Sequence, residues 1–517
     1  MQFNHTSRKK NIALSVLVNT ICKGALLVTG FWYRTAFLRI LSVEYLGING
    51  LFSGILGLLS LADLGISVSI VYRIYQPVSR DDVQRVGQLM RFYKKAFQTI
   101  AISILVCGLI VLFFLPVFIK DISEVPKDIN IYLVFFLYLV QIVSPYFFTY
   151  KLTLFDVDQK QYVITIINAV IAITRYLVQF MILAYYRNFT LALLCGTLVI
   201  ILFDFLAGIW ASKKYPNVFS VHTDISPKEK KDILKDTFAS ICHKIGGVII
   251  LSTDNILLSK FIGLAVIGIY SNYALILNRV SELVGVVFDP FSAAFGNVHV
   301  TEDSEDRYRI YRRSLLVNFW ISGVVTVCFY TLLDDFIMLW LGKGMLLDST
   351  TVFFLCFQFY ISATRRVSGA YISSCGLFVK DKARTLIEAL LNLLISIVLL
   401  KMIGVAGVFA GTVISCLMTS YWREPYLLFK HIFKRSSVDF WLLNFKNMIA
   451  TVLSIAVAVK VSDLLFASSL SIFYWIIKGI FAVLIFGIVS SILFISDKDF
   501  RFSIKELWNK VKSIRKS

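Results

Sequence analysis

The chain has 517 residues, of which 58% are hydrophobic and only 16% are charged. A soluble domain usually carries about 25% charged residues, so this composition excludes an ordinary water-soluble protein and favours a membrane protein with many spans. The net charge of +20 does not indicate nucleic-acid binding, because the basic residues recur in short clusters between apolar runs instead of forming one patch.

Long apolar runs predict fourteen membrane-spanning helices, because about 20 mostly apolar residues are enough to cross a bilayer. The first run follows three basic residues and continues without a signal-cleavage pattern, so we expect a first span and not a removed signal peptide. In chain order the predicted spans are residues 11–33, 45–71, 96–119, 131–154, 162–185, 189–211, 237–261, 267–290, 314–333, 351–374, 385–402, 404–422, 447–467 and 471–495.

Local features add detail to these spans. Pro145 should kink the fourth helix, because proline removes a backbone hydrogen bond. The small-residue motifs Gly50–Gly54 and Gly407–Gly411 should allow close helix contacts. Residues 81–95 and 226–236 are predicted to form short amphipathic helices on the cytoplasmic face. The alternative is that both are solvated basic loops held near anionic headgroups.

Lysine and arginine are distributed unevenly between the two sides of the predicted membrane. With the N-terminus inside, 35 of the 52 fall in inside segments and 6 in outside segments. Cytoplasmic loops carry the excess of these residues, so we predict that both termini are cytoplasmic. The loops are too short for a catalytic domain, and no P-loop or Cys-x-x-Cys pair occurs. We therefore expect a protein that is not an enzyme and has no metal or cofactor.

The sequence contains a weak internal repeat. A shift of 221 residues places Lys23 on Lys244 and Gly47 on Gly268. The offset covers six predicted helices, an even number, so both halves enter the membrane in the same direction, as in a parallel repeat.

This repeat predicts two six-helix lobes that face each other across a central cavity and rock to give alternating access. The predicted divisions are an N-lobe with helices 1–6 at residues 1–220, a C-lobe with helices 7–12 at 221–435, and helices 13 and 14 with a basic tail at 436–517.

Two lysines are the leading candidates for a binding site. Lys23 and Lys244 each lie about half-way along the first helix of a predicted lobe. A charge at this depth is costly and normally faces a bundle interior or a water-filled cavity. Two ammonium groups facing one cavity would bind an anion. The alternative is that each lysine pairs with a nearby polar group for packing.

Four arginines are further candidates for binding the same anion. Arg175 lies within the fifth helix and Arg279 within the eighth, where Glu282 on the same face favours a local ion pair. Arg365 and Arg366 point in directions about 100° apart, so at most one should face the cavity centre. An arginine fork suits a diphosphate, because it donates two parallel hydrogen bonds.

Acidic and amide groups at membrane depth could couple transport to a gradient of Na⁺ or protons. The candidates are Asp63, Asp254 and Asn255. The alternatives are a capping role for Asp63 beside Gly65, and an ion pair between Asp254 and a neighbouring base.

Three segments near the N-terminus carry a family resemblance: Phe37–Leu41, Glu44–Gly47 and Leu61–Gly65. They resemble the signature of bacterial Wzx-type polysaccharide flippases, which belong to the multidrug/oligosaccharidyl-lipid/polysaccharide exporter (MOP) superfamily. The fourteen predicted helices, with two lobes of six and two extra, are similar to the architecture of that superfamily.

The resemblance implies a function. Such proteins move undecaprenyl-diphosphate-linked oligosaccharide repeat units from the cytoplasmic to the outer leaflet, for capsule, O-antigen or exopolysaccharide synthesis. It implies a location in the bacterial cytoplasmic membrane, with membrane lipids and the polysaccharide polymerase machinery as partners. The diphosphate would need cations inside the membrane, such as Lys23 and Lys244.

Other functions stay open. A lipid II flippase has a similar cationic cavity, usually built from arginines. A multidrug exporter of the same superfamily should present carboxylates to its cavity. A membrane glycosyltransferase or polymerase would need a larger outer loop, and a non-transporting scaffold of polysaccharide assembly is a further alternative.

Overall fold

The computed structural model describes residues 8–60, 63–288, 291–377, 381–466 and 471–502. In these residues every regular element is a helix, and no strand is present. Nine of the described helices are long and apolar enough to cross a bilayer, or ten if one bent pair counts as a single span. The protein is an all-α integral membrane protein, as its composition predicts.

The chain forms two compact units, Met1–Gly268 and Ile269–Ser517. The helices of the first unit are α1 (Arg8–Ile40), α2 (Val43–Leu59), α3 (Asp63–Ser79), α4 (Val83–Phe113), α5 (Ile131–Val143), α6 (Thr153–Val157), α7 (Gln161–Tyr186), α8 (Phe189–Lys214), α9 (Pro216–Phe219) and α10 (Pro227–Phe261). Helix α11 (Leu264–Phe288) begins in the first unit and continues in the second.

The second unit contains the remaining helices. They are α12 (Phe291–Thr301), α13 (Ser304–Leu341), α14 (Ser349–Thr364), α15 (Arg366–Ser374), α16 (Lys382–Ile403), α17 (Val405–Met418), α18 (Ser420–Leu428), α19 (Val438–Phe466) and α20 (Ile472–Phe494). Helix α10 packs along α2 and α3, so the first unit includes the first helix of the predicted C-lobe. The division into lobes at residue 220 stays a prediction.

Every predicted span falls on one or more of these helices, but several boundaries differ, and the predicted helix 351–374 is two helices, α14 and α15. The predicted helix 45–71 is two helices, α2 and α3. The predicted amphipathic helices 81–95 and 226–236 are wrong as separate elements, because they form the first turns of α4 and α10. Asp82 and Ser226 cap these two helices, and no proline separates the polar turns from the apolar part.

The kink predicted at Pro145 is confirmed. Helix α5 ends at Val143, and two 3₁₀ turns at Ser144–Phe147 and Thr149–Leu152 lead into α6. The two halves of this span are bent by 43°. Proline lacks the backbone donor that a continuous helix would need at this position.

The predicted close contacts at the two glycine motifs are also confirmed. A Cβ atom on Gly54 would lie 2.9 Å from the carbonyl oxygen of Ser252 on α10, and one on Gly407 would lie 2.2 Å from the backbone of α16. Helices α16 and α17 pack together after a turn at Gly404, whose φ of +65° favours glycine.

Two glycines that the repeat superimposes make reciprocal contacts between α2 and the start of α11. A Cβ atom on Gly47 would lie 2.0 Å from the carbonyl oxygen of Leu264, and one on Gly268 would lie 2.2 Å from the carbonyl oxygen of Val43. Val43 and Leu264 are related by the same offset as the glycines. A two-fold relation between helices produces this kind of reciprocal contact.

Candidate functional site

Two arginines and three tyrosines come together where α1, α5 and α7 approach one another in the first unit. Tyr33 and Arg34 lie on α1, Tyr138 on α5, and Arg175 and Tyr176 on α7. Each of the two arginines is close enough to the Tyr33 and Tyr138 phenols to act on them electrostatically. We call these five residues the arginine–tyrosine cluster.

The packing of α1 along α7 positions the cluster. The hydroxyl of Thr165 donates a hydrogen bond to Asn19 Oδ1 at 2.5 Å, and further along, Tyr33 stacks on Tyr176 with ring centroids 4.8 Å apart. The contacts follow the same order on both helices, so α1 and α7 run parallel. The stacked rings fix the level at which Arg34 and Arg175 project.

Arg175 has a charge that no described carboxylate neutralises by an ion pair. Its guanidinium lies over the Tyr176 ring, 5.1 Å from the centroid, and its Nε is buried without a hydrogen-bond partner among the described residues. Arg175 lies near the middle of α7. A cation at this depth is costly unless it meets a polar ligand or water, so the arrangement can bind an anion.

Lys23 is exposed on α1 and has no hydrogen bond or ion pair with a described residue. It precedes Tyr33 by ten residues, which is about 15 Å along a helix. The side chain of Lys244 lies outside the described part of the structure. Whether the two lysines face one cavity therefore stays a prediction.

Arg34 escaped the sequence analysis because the first span was predicted to end at residue 33. In the structure α1 continues to Ile40, with an apolar segment at Leu14–Ile40, so Arg34 lies inside the helix. The signal that could have shown this is the apolar run Ala36–Leu38, which extends the helix beyond the arginine.

The two adjacent arginines of the second unit lie at the break between α14 and α15 and point to different helices. Arg365 binds both carboxylate oxygens of Glu424 on α18, with its Nε 3.1 Å from Oε2. Arg366 donates to the backbone oxygen and the hydroxyl of Ser281 on α11, at 2.9 and 2.5 Å. Their role as substrate ligands stays a prediction, and Glu424 already balances the charge of Arg365.

Arg365 belongs to a larger set of paired charges that the sequence analysis missed. Arg384 binds Asp381 and lies 3.2 Å from Glu388 and 3.7 Å from Glu424, and Arg423 lies 3.4 Å from Asp381. We call this set the arginine–carboxylate network. It joins α14, α16 and α18, and its members are up to 59 residues apart, so no local spacing indicated it.

Arg279 and Glu282 form the local ion pair that their spacing favours. The Arg279 Nη1 atom lies 2.9 Å from Glu282 Oε2, and both side chains are exposed to a large extent. This geometry gives Arg279 a partner of its own, so its assignment to an anion site stays a prediction.

The three predicted ion-coupling residues lie in different surroundings. Asp254 is 2% exposed, and its Oδ1 has no hydrogen-bond partner among the described residues. The alternative ion pair with a base is therefore not found in this part of the structure. Asn255 packs against the glycines of α2, with its Cβ 3.2 Å from the Cβ position of Gly54. The side chain of Asp63 lies outside the described part of the structure.

Solved structures of other proteins share this fold. No protein-family model and no curated protein matches the sequence. Among solved structures, the lipid II flippase MurJ in an inward closed conformation aligns with 92% of this chain and 99% of its own, with a TM-score of 0.65 and 15% identity.

Two further structures align less closely. An inward-facing multidrug resistance MATE family transporter of the MOP superfamily covers 80% of this chain and 98% of its own, with a TM-score of 0.52 and 14% identity. A MOP superfamily transporter from Pyrococcus furiosus, described as having a binding pocket of reversed polarity, covers 83% and 97%, with a TM-score of 0.50 and 13% identity. At these identities the likeness establishes the shared fold.

Proposed function

We propose that this protein is a MOP-superfamily transporter that flips a lipid-linked oligosaccharide diphosphate across the bacterial cytoplasmic membrane by alternating access. The fold is shared with a lipid flippase along nearly the whole chain. The observation that carries the proposal is the arginine–tyrosine cluster, in which the Arg175 guanidinium lies over the Tyr176 ring at membrane depth and pairs with no described carboxylate.

The chemistry of the cluster suits a diphosphate. The planar fork of an arginine donates two parallel hydrogen bonds to phosphate oxygens, and a tyrosine hydroxyl donates a third. Lys23 on α1 adds a second cation on the same helix as Tyr33 and Arg34. The proposed path leads the diphosphate along α1, from Lys23 to the cluster, while the lipid tail stays in the bilayer.

The residues at 37–47 and 61–65 favour a Wzx-type substrate, an undecaprenyl-diphosphate-linked repeat unit for polysaccharide synthesis. A lipid II flippase is the second candidate, because MurJ shares this fold over 92% of the chain with a TM-score of 0.65. A multidrug exporter is disfavoured by the basic character of the cluster. Both termini are proposed to be cytoplasmic, on the basis of the charge bias.

Asp254 is proposed to bind the coupling ion, either Na⁺ or a proton. Its buried carboxylate has an oxygen without a described partner, and a carboxylate can hold either cation. Transport should then depend on the corresponding gradient and should lose that dependence in Asp254→Asn.

The proposal is tested with purified protein in liposomes that contain a fluorescent polyprenyl-diphosphate oligosaccharide. A membrane-impermeant reductant measures how fast the labelled lipid changes leaflet. We expect Arg175→Ala and Lys23→Ala each to slow flipping at least tenfold, because a hydrogen bond to a charged group is worth about 1.5 to 3 kcal/mol. Lys244→Ala is expected to act in the same way.

The matched control is Lys460→Ala. Lys460 is an exposed lysine of α19 without a described partner, and it lies outside the repeat, so its loss should leave the rate unchanged. Equal rates for the wild type and the Arg175→Ala/Lys23→Ala double variant would contradict diphosphate binding at this site. Faster flipping of lipid II than of the oligosaccharide lipid would favour the second candidate.

A further inference from the structure

A second basic site lies in the first unit, away from the arginine–tyrosine cluster. A cavity of about 230 Å³ opens between the beginning of α4, the end of the bent α5–α6 span and the segment at residues 218–222. Three cations line it: Arg91, Lys94 and Lys151. Its volume is below the range of about 300 to 1,000 Å³ that is usual for drug-sized ligands, so it suits a small anionic group.

The charges of this cavity are only partly balanced. Asp224 accepts a hydrogen bond from Arg91 Nε at 2.7 Å and lies 2.8 Å from Lys95 Nζ. One carboxylate therefore pairs with two cations. Lys94 and Lys151 form no ion pair with a described carboxylate, which leaves two unbalanced ammonium groups in one cavity.

Aromatic rings hold Lys151 in place. Its Nζ lies 5.7 Å from the centroid of Phe219 and 6.0 Å from that of Tyr150. These rings, together with Met90 and Val218, give the cavity an apolar wall beside its cations. A ligand that fits this lining has a negative headgroup next to an apolar portion.

The position of the cavity identifies the source of such a ligand. Arg91 and Lys94 precede the apolar part of α4 by about one turn, and Lys151 lies within the last two turns of its span. The cavity is therefore at the level of the lipid headgroups, on the face that the charge bias predicts to be cytoplasmic. Basic pockets between helices on this side are suited to anionic lipid headgroups.

We propose that this cavity binds the phosphate of an anionic phospholipid headgroup, with Lys94 and Lys151 as its two principal ligands. The site is separate from the proposed transport path and does not depend on it. A bound lipid would join α4 to the kinked α5–α6 span, since each element supplies one of the two lysines.

The test measures thermal stabilisation of the full-length protein in detergent by short-chain phosphatidylglycerol, with phosphatidylcholine and inorganic phosphate as separate arms. A basic side chain near an anionic headgroup is worth about 1 kcal/mol. Lys94→Gln alone should therefore weaken phosphatidylglycerol binding about fivefold, and the Lys94→Gln/Lys151→Gln double variant about thirtyfold. Phosphatidylcholine should not stabilise the protein.

Lys214→Gln is the matched control, because Lys214 is an exposed lysine at the end of α8 that does not line the cavity. It should bind phosphatidylglycerol like the wild type. If the double variant does not fold, the single variant Lys94→Gln still tests the proposal, because Lys94 is exposed. Unchanged affinity in Lys94→Gln would overturn the proposal, and so would equal stabilisation by inorganic phosphate, which would assign the site to the free anion.

Discussion

Removal of Glu424 should destabilise the second unit strongly. Glu424 is 5% exposed and holds Arg365 through both carboxylate oxygens. In Glu424→Leu the Arg365 guanidinium loses its only described carboxylate partner within 4 Å. Leaving one member of a buried ion pair without its partner costs about 3 to 5 kcal/mol, and because the Arg365 side chain is 24% exposed, we expect the lower end of this range.

Other members of the arginine–carboxylate network should change little in this variant. Arg384 lies 3.7 Å from Glu424 but keeps its closer partners Asp381 and Glu388. The cost should therefore fall on Arg365. Arg365→Met/Glu424→Leu removes both charges, and because apolar residues often replace a buried ion pair without loss, it should recover most of the stability.

The assay is the free energy of unfolding in mixed micelles titrated with dodecyl sulfate. The control is Arg279→Met, which breaks the exposed pair with Glu282 and should cost less than about 1 kcal/mol. If Glu424→Leu cost no more than this control, the charge of Arg365 would not depend on Glu424. If the double variant lost the sum of the two single losses, the two residues would not be coupled.

Two further predictions concern helix packing and pH. Gly47→Ala and Gly268→Ala should each cost about 1 to 3 kcal/mol of unfolding free energy through overpacking, and to a similar extent, because their contacts are reciprocal; a large difference between them would contradict that relation. Burial alone would raise the pKa of Asp497, but hydrogen bonds from Arg312 and the Phe500 amide hold this pKa below its ordinary value. The carboxylate of Asp497 should therefore stabilise the protein above about pH 4 and lose this contribution as the pH falls through the lowered pKa. At pH 7 the wild type should melt at a higher temperature than Asp497→Asn, and this difference should vanish in acid. A difference that persists in acid would contradict the lowered pKa of Asp497.

The sequence predicts the helices well, because a membrane span needs a long apolar run and such runs are unambiguous. The kink at Pro145 and the close packing at Gly54 and Gly407 were also predictable, because each follows from the covalent structure of one residue. The helix boundaries are harder to predict from the sequence. Polar turns can extend a spanning helix beyond the bilayer, so the beginning of α4 was predicted as a separate helix.

The candidate site was only partly predictable. Arg175 was identified because its depth is evident from the sequence, but Tyr138 was not, since its approach to α7 depends on how three helices pack. The same holds for Glu424, which pairs with a residue 59 positions away. Sequence alone shows that a charge lies in the membrane, whereas its partner is decided by tertiary structure.

Arg175 and Arg365 are surrounded by different groups. In the second unit, the arginine–carboxylate network matches three arginines with three carboxylates, so its charges cancel. In the first unit, the Arg175 guanidinium lies over the Tyr176 ring and pairs with no described carboxylate. A phenol solvates a guanidinium without cancelling its charge, so Arg175 keeps an attraction for anions that Arg365 has already satisfied.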